Sequence, residues 1–415
     1  MKKRRVVITG MGAVTPIGLG IDEFWDGLLK GKNGVAPITR FDASKFDTQF
    51  AAEVKNFNPL DFLSKKEVRR LDPFAQYALV SSIMAVQDSA IDLDNVNLDR
   101  FGVVFGSGIG GLKALREQHF IYFETGNPKK VSPLFIPTMI LDMAAGQISI
   151  KFGLKGPNYA TTSACASSSH SIADAFVLIQ RGSADLMITG GTEASVEPMP
   201  MAGFNSMRAL STWNDRYKEA SRPFDVDRNG FVLGEGAGSL ILEEYEHAKS
   251  RGAKIYAEIA GIGLTADAYH ITAPAPGGEG AVRSMREALK DAEVKPEEVD
   301  YINAHGTSTP YNDLHETQAI KTVFGNHAYD MVISSTKSMT GHLLGAAGGV
   351  EAIATVLSLY NDKVPPTINL TNPDPQCDLN YSALKSTDKK IRNAISNTFG
   401  FGGHNASLLF KKIGE

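Results

Sequence analysis

Gly156-Pro-Asn-Tyr-Ala-Thr-Thr-Ser-Ala-Cys165-Ala-Ser-Ser-Ser-His170-Ser, running on as Ile172-Ala-Asp-Ala-Phe-Val-Leu-Ile-Gln-Arg181 and closed by Gly182, sets the architecture of this chain. A Gly-Pro turn leads into a short small-residue segment of extended character. From Cys165 the pattern predicts about four turns of helix, stopped by Gly182 after Arg181. Ile172, Ala173, Ala175, Phe176, Val177, Leu178 and Ile179 surround that helix, with charge only at Asp174 and Arg181. A helix that is apolar nearly all round is a buried one. Cys165 is therefore expected on a sharp strand-to-helix turn, where unpaired N–H groups and the helix dipole favour a thiolate. Taken alone, a cysteine reads more readily as a small buried hydrophobe, and the turn-to-helix context brings the two readings level.

At 415 residues the chain exceeds one ordinary core, so two domains or two fused halves are expected. Hydrophobic residues at 43%, charged residues at 21% and 40 glycines describe a compact α/β enzyme. A net charge of −4 argues against a general nucleic-acid binder. Cys165 and Cys377 do not make a disulfide framework and suit a reducing compartment. Lys2-Lys3-Arg4-Arg5 before Val6-Val7-Ile8 imitates the start of a signal peptide, but Thr9-Gly10 ends the apolar run far too early. No run approaches the ~18 apolar residues needed to cross a membrane. The expected location is the cytoplasm, away from membranes.

Outward from the central stretch, strands are predicted at Val6–Thr9, before a Gly10-x-Gly12 turn, and at Phe101–Phe105, before Gly106-Ser-Gly-Ile-Gly-Gly111. Others are expected at Asp185–Thr189, before Gly190-Gly191, and at Ser239–Leu242. Asp22 is placed as the N-cap of a helix through Leu29, and a second helix runs from about Pro73 to Ala90. Residues 112–150 have no clean period, and 200–231 read as a long polar connection. Near Ala253 the pattern restarts, with strands at Ile255–Ile262, Tyr301–Ala304, Met331–Ser335, Ala394–Thr398 and Ser407–Phe410. Helices are expected over Ala281–Ala292 and Gly341–Leu359. This long-period repeat divides the chain into 1–252, which holds the cysteine, and 253–415. Ligands of open α/β sheets gather beyond the carboxyl ends of strands. Cys165, His305, Lys337 and Phe401 all follow predicted strands.

Four segments carry chemistry: Cys165 in its turn; Asn303-Ala-His305-Gly-Thr-Ser-Thr309; Ser334-Ser-Thr-Lys337-Ser-Met-Thr-Gly-His342; and Gly400-Phe401-Gly-Gly-His404-Asn405. In this order, and over nearly the whole chain, they resemble the β-ketoacyl synthases of the thiolase superfamily, most of all the branch that elongates chains in bacterial type II fatty acid synthesis. The resemblance implies a thiolase-like α/β fold, two similar βαβαβ-type halves packed in α/β/α/β/α layers. It implies an acyltransferase in which Cys165 holds an acyl chain as a thioester. The N–H groups of Cys165 and Phe401 would form the oxyanion hole, with Gly402 and Gly403 hinging a gate. His305 and His342 would donate to the enolate left when malonyl carrier protein loses carbon dioxide. Lys337 and Glu351 would be an electrostatic pair, Glu351 lying further down the helix that His342 opens.

Further roles rest on the same resemblance. Asp267 falls on a second loop facing the gate, and Ile109 and Phe204 line the acyl pocket. Lys66, Arg69, Arg70 and Arg208 by the same match, with Lys129 added for its charge alone, are expected to form a basic landing surface for an acidic acyl carrier protein, since complementary charge steers encounter. The expected state is a homodimer without metal or resident cofactor, its substrates carried on the phosphopantetheine of the carrier protein. His404 departs from the pattern, because many relatives carry Thr there. A thiolase would need a second cysteine where Phe401 stands, and an initiating synthase would have Asn in place of His342. A non-catalytic chain-length or carrier-binding subunit would have lost Cys165. A polyketide-type synthase on the same fold stays open.

Overall fold

The computed structural model describes residues 3–414, so Met1 and Lys2 at the basic start and Glu415 at the end lie outside the described residues. Strand β1, Val6–Thr15, is buried at every position. Gly10 and Gly12 lie inside this strand, not in a turn after it. A Cβ at Gly12 would stand 2.1 Å from the Ser81 carbonyl oxygen, and one at Gly10 2.3 Å from that of Ala85. The missing side chains let a helix backbone press onto the strand. The second part of the chain repeats the device: a Cβ at Gly263 would meet the Ser284 oxygen at 1.8 Å, and one at Gly261 the Ala288 oxygen at 2.5 Å.

The other strands of the first part are β2 (Phe101–Gly106), β3 (Asn158–Thr161), β4 (Leu186–Glu193) and β5 (Gly236–Glu244). Those of the second are β6 (Ala257–Ala266), β7 (Tyr301–Asn303), β8 (Val332–Ser334), β9 (Asn393–Gly400) and β10 (His404–Lys411). They join in the order β3-β2-β4-β5-β1-β6-β10-β9-β7-β8. Each set has the same order and the same senses, two parallel pairings followed by two antiparallel ones. The sets meet where β1 pairs with β6 antiparallel at Val6↔Ile259, Val7↔Glu258 and Ile8↔Ala257.

Helices fill both sides and the middle. They include α1 (Gly20–Leu29), α2 (Pro73–Asp88), α3 (Leu112–Thr125), α4 (Ser167–Gln180), α5 (Glu279–Asp291), α6 (Pro310–Phe324) and α7 (Ala347–Asn361). α2 covers the first set, α5 covers the second with α6 against it, and α4 and α7 touch strands of both. The result is the layered α/β/α/β/α arrangement. Ile172, Phe176 and Ile179 of α4 and Val350, Ile353 and Val356 of α7 share one core with Ile8, Leu242, Leu408 and Phe410. Burying each such side chain contributes about 1.5–3 kcal/mol. Among the described residues no helix is long and apolar enough to cross a membrane.

Several expected boundaries move for physical reasons. α4 begins at Ser167, because Ala164 takes a left-handed φ of 50° and breaks the helix behind it. The helix expected over Gly341–Leu359 starts only at Ala347, as α7, and a separate single turn, Lys337–Thr340, precedes it. His342 between them pairs its backbone with a neighbouring segment, its N–H to the Val232 oxygen at 2.7 Å and its oxygen to the Gly234 N–H at 2.9 Å. His342 therefore opens no helix and does not share one with Glu351. β4 runs straight through Gly190-Gly191, and α1 starts ahead of Asp22, whose side chain caps nothing. The irregular 112–150 region contains α3, and the polar 200–231 connection begins inside a helix, Pro198–Ser206. α6 has no counterpart in the sequence reading, because it buries Asp313, Glu316 and Thr317 and so lacks an amphipathic period.

Gly12→Ala should lower stability by about 1–3 kcal/mol, the usual cost of overpacking. Urea denaturation reads this as a lower midpoint at unchanged slope.

Candidate active site

Local hydrogen bonds fold the turn that carries Cys165. The Ser163 N–H donates to Ser167 Oγ at 2.9 Å, and that hydroxyl donates to the Ala164 oxygen at 2.7 Å. This ties the residues on both sides of the strained Ala164 and aims the sulfur into a cavity of about 570 Å³. The backbone N–H groups of Cys165 and Phe401 lie near enough to the sulfur to favour its ionised form. His305 enters the cavity from the end of β7, with its own N–H and that of Gly306 each donating at 2.8 Å to the buried Glu316 carboxylate of α6. His342 enters from the turn before α7, its Nε2 3.1 Å from Cys165 Sγ. The two imidazole rings stand 5.3 Å apart, centre to centre.

The Nδ1 atoms are both accounted for. The Leu344 N–H donates to His342 Nδ1 at 3.3 Å, and the Lys337 ammonium donates to His305 Nδ1 at 3.4 Å. Each ring therefore carries its proton on Nε2, ready to donate into the cavity. Lys337 also forms a buried ion pair with Glu351 behind His305. Burial, with Lys337 beside them, holds both imidazoles well below the ordinary histidine range, so both are neutral.

Cys165 differs from its sequence expectation. Burial pushes its thiol up to about 11, against the Lys337 charge and the N–H groups on the sulfur, which favour the thiolate. α4 starts two residues later than expected, and a helix dipole acts mainly within its first turn. Desolvation wins, and the resting group is a thiol.

Phe401 sits at the tip of the β9–β10 hairpin. Gly402 donates its N–H to the Ile271 oxygen at 2.8 Å, and the Asp267 N–H donates to Gly403 at 2.8 Å. The Asp267 carboxylate accepts from Asn405 Nδ2 at 2.7 Å. The hairpin and the Asp267 loop are thus laced together over the cavity. His404 lies beside Gly402 and edge-on to His170, 6.2 Å away.

Residues 3–248 match the family model of the beta-ketoacyl synthase N-terminal domain, and residues 256–371 that of the C-terminal domain. The chain belongs to the β-ketoacyl synthase family. It is 56% identical over 412 residues to 3-oxoacyl-[acyl-carrier-protein] synthase 2 of Synechocystis sp., covering 99% of each chain. The Staphylococcus aureus protein of the same name is 54% identical over 412 residues, again covering 99% of each. Among solved structures, a beta-ketoacyl synthase from Burkholderia phymatum superposes with a TM-score of 0.93 at 38% identity, over 99% of this chain and 100% of that one. A type II polyketide ketosynthase, bound to its acyl-carrier protein and a hexaketide, superposes with a TM-score of 0.92 at 34% identity, over 100% of both chains.

In this member of the family Cys165, His305, His342, Phe401, Asp267, Ile109, Phe204 and Arg208 all line the one cavity. Lys337 and Glu351 stand behind it, buried. Lys66, Arg69, Arg70 and Lys129 are exposed but not part of its lining, and Lys66 and Arg70 edge a separate groove of about 260 Å³. Two buried acids escaped the sequence reading. Glu316 lies on the unread helix α6, and Glu193 ends β4. A carboxylate inside an otherwise apolar strand was the signal for Glu193. It also explains the Gly106–Gly111 loop, whose amides at Gly108 and Ile109 are taken by this resident carboxylate rather than offered to a phosphate.

Alkylation of Cys165 by iodoacetamide should keep accelerating above pH 9 toward about 11, since the thiol stays protonated below its raised value. A plateau reached below pH 8 would show a resting thiolate instead.

Proposed function

We propose that this synthase performs the decarboxylating Claisen condensation of an acyl chain with malonyl-acyl carrier protein, giving 3-oxoacyl-carrier protein and carbon dioxide in fatty acid elongation. The observation that carries the reading is Cys165 Sγ, which lies 3.1 Å from His342 Nε2 in a cavity that His305 and Phe401 also line. In the first half-reaction Cys165 attacks the acyl thioester carbonyl. The N–H groups of Cys165 and Phe401 receive the oxyanion, and the carrier leaves as its phosphopantetheine thiol with the cysteine proton. In the second, malonyl carrier protein loses carbon dioxide while the Nε2–H groups of His305 and His342 hold the enolate oxygen. The enolate carbon then attacks the acyl-cysteine and expels the Cys165 thiolate, which takes up one proton from solvent to restore the thiol. Lys337, neutralised by Glu351, keeps His305 in the donating tautomer. No resident cofactor enters this scheme.

The halves 1–252 and 253–415 supply the cysteine and the histidines, respectively. Retention of Cys165 with all these partners speaks against a non-catalytic subunit. The 54–56% identity to proteins named 3-oxoacyl-[acyl-carrier-protein] synthase 2, against 34% to the polyketide ketosynthase, favours fatty acid over polyketide chemistry. Arg208 at the cavity, with Lys66, Arg69, Arg70 and Lys129, would guide an acidic carrier protein in the cytoplasm. A homodimer belongs to the same reading. β3 ends the sheet with Asn158 and Tyr159 exposed, and Phe120, Phe123 and Ile136 are 60%, 79% and 54% exposed.

Incubation with acyl-loaded carrier protein should leave an acyl adduct on Cys165 by mass spectrometry, absent from Cys165→Ala. His305→Ala and His342→Ala should each slow malonyl decarboxylation about 10²–10³-fold, the cost of losing one oxyanion-type donor, while retaining acyl transfer. Equal loss of both steps would overturn this division of roles. Sedimentation should give twice the chain mass, and Phe123→Asp should yield monomer.

A further inference from the structure

Glu193 is fully buried and makes no contact with Cys165, His305 or His342 among its hydrogen bonds. One of its oxygens, Oε2, accepts from the Gly108 N–H at 2.9 Å and from the Gly345 N–H at 3.0 Å. The other, Oε1, accepts from the Ile109 N–H at 3.2 Å and from the Ser107 hydroxyl at 3.4 Å. One carboxylate thus bridges two turns from opposite parts of the chain. The first carries Ile109, a wall of the cavity. The second carries His342 and Leu344, which also line it. The turns touch, since a Cβ at Gly345 would lie 2.2 Å from the Gly108 nitrogen. Leu344, next to Gly345, is the residue whose N–H holds His342 Nδ1.

We infer that Glu193 is a positioning residue that makes the Ile109 wall and the His342 turn move as one body, so that an acyl chain pressing on Ile109 resets the His342 donor. The inference rests on the proposed condensation, in which Ile109 faces the acyl chain and His342 the enolate. The path is continuous: Ile109 amide, Glu193 carboxylate, Gly345 amide, Leu344 amide, His342 ring, Cys165 sulfur. Burial pushes the Glu193 carboxyl up to about 7 while the three amides pull it down, as expected for an anion kept in place by its donors. Close-packed groups of this kind shift together rather than deform separately.

The test uses the full chain and its variants Glu193→Gln and Glu193→Asp, with hexanoyl or myristoyl carrier protein first and labelled malonyl carrier protein second. Glu193→Gln keeps the shape but turns an N–H₂ group toward N–H donors, whereas Glu193→Asp keeps the charge and shortens the reach. In the wild type, carbon dioxide release should depend on which acyl chain sits on Cys165. In Glu193→Gln the release should fall about ten- to a hundredfold, as for a misplaced catalytic group, and the chain-length dependence should vanish. Adduct formation on Cys165 should change by much less than carbon dioxide release, because that step does not need the His342 donor. Glu193→Asp should restore part of the dependence. An unchanged chain-length profile in Glu193→Gln, or equal loss of both steps, overturns the inference. Should neither variant fold, the ¹⁵N shift of His342 Nδ1 in wild-type protein decides: it must differ between hexanoyl- and myristoyl-Cys165. Failure of the wild type to form any adduct would instead remove the condensation itself, so the two failures are distinguishable.

Discussion

Everything reactive in this protein stands over one buried ion pair, Lys337 with Glu351. An ammonium taken out of water is costly unless it is paired and hydrogen-bonded, and once there it acts on its neighbours far more strongly than at a surface. Glu351 makes the ammonium tolerable, and the ammonium then does two things. It donates to His305 Nδ1 and, with burial, keeps both rings neutral. It also offsets part of the desolvation that keeps Cys165 protonated. Lys337 sets the tautomer of His305 only, that of His342 being set by the Leu344 N–H. Burial itself comes from α4 and α7, clasped between the two strand sets.

The duplicated topology explains why groups far apart in the chain share one space. Each strand set ends its parallel strands toward the same interior, so the cysteine after β3 meets histidines after β7 and β8. Glu316 and Glu193 play matching parts, each a buried carboxylate that gathers the amides of a loop lining the cavity. Two acids thereby replace what would otherwise be unpaired backbone donors in a dry region. Burial raises both to about 7, which their amides oppose.

Cys165, His305, Lys337 and His342 could be read in the sequence, as could the strands, because residue types were tied to short Gly- and Ser-rich turns after apolar runs. The paired Gly-x-Gly segments were legible as an echo but not as a mechanism. Whether a glycine makes a turn or admits a helix depends on a partner distant in sequence, here Ser81 or Ser284. His342 looked like a helix start because Gly341 and the alanines after it suit one. Its pairing with Val232 and Gly234 is a tertiary contact that no local pattern records. α6 was invisible for a related reason, since its buried Asp313 and Glu316 erase the periodicity that marks a helix. The state of the sulfur was misread because a helix terminus is a local feature, whereas desolvation belongs to the whole fold.

The β9–β10 hairpin has a further implication for how selectivity can change. Gly402 and Gly403 adopt φ values of 85° and 74°, a region that residues with side chains enter only under strain. Gly400 is pressed against the cysteine turn, where an added Cβ would meet the Ser163 oxygen at 3.0 Å. Three of the four residues at the tip are therefore fixed by backbone geometry. Phe401 alone is free of that constraint, so the bulk of its side chain, which lines the cavity, is the feature of the tip that substitution can change without altering the backbone.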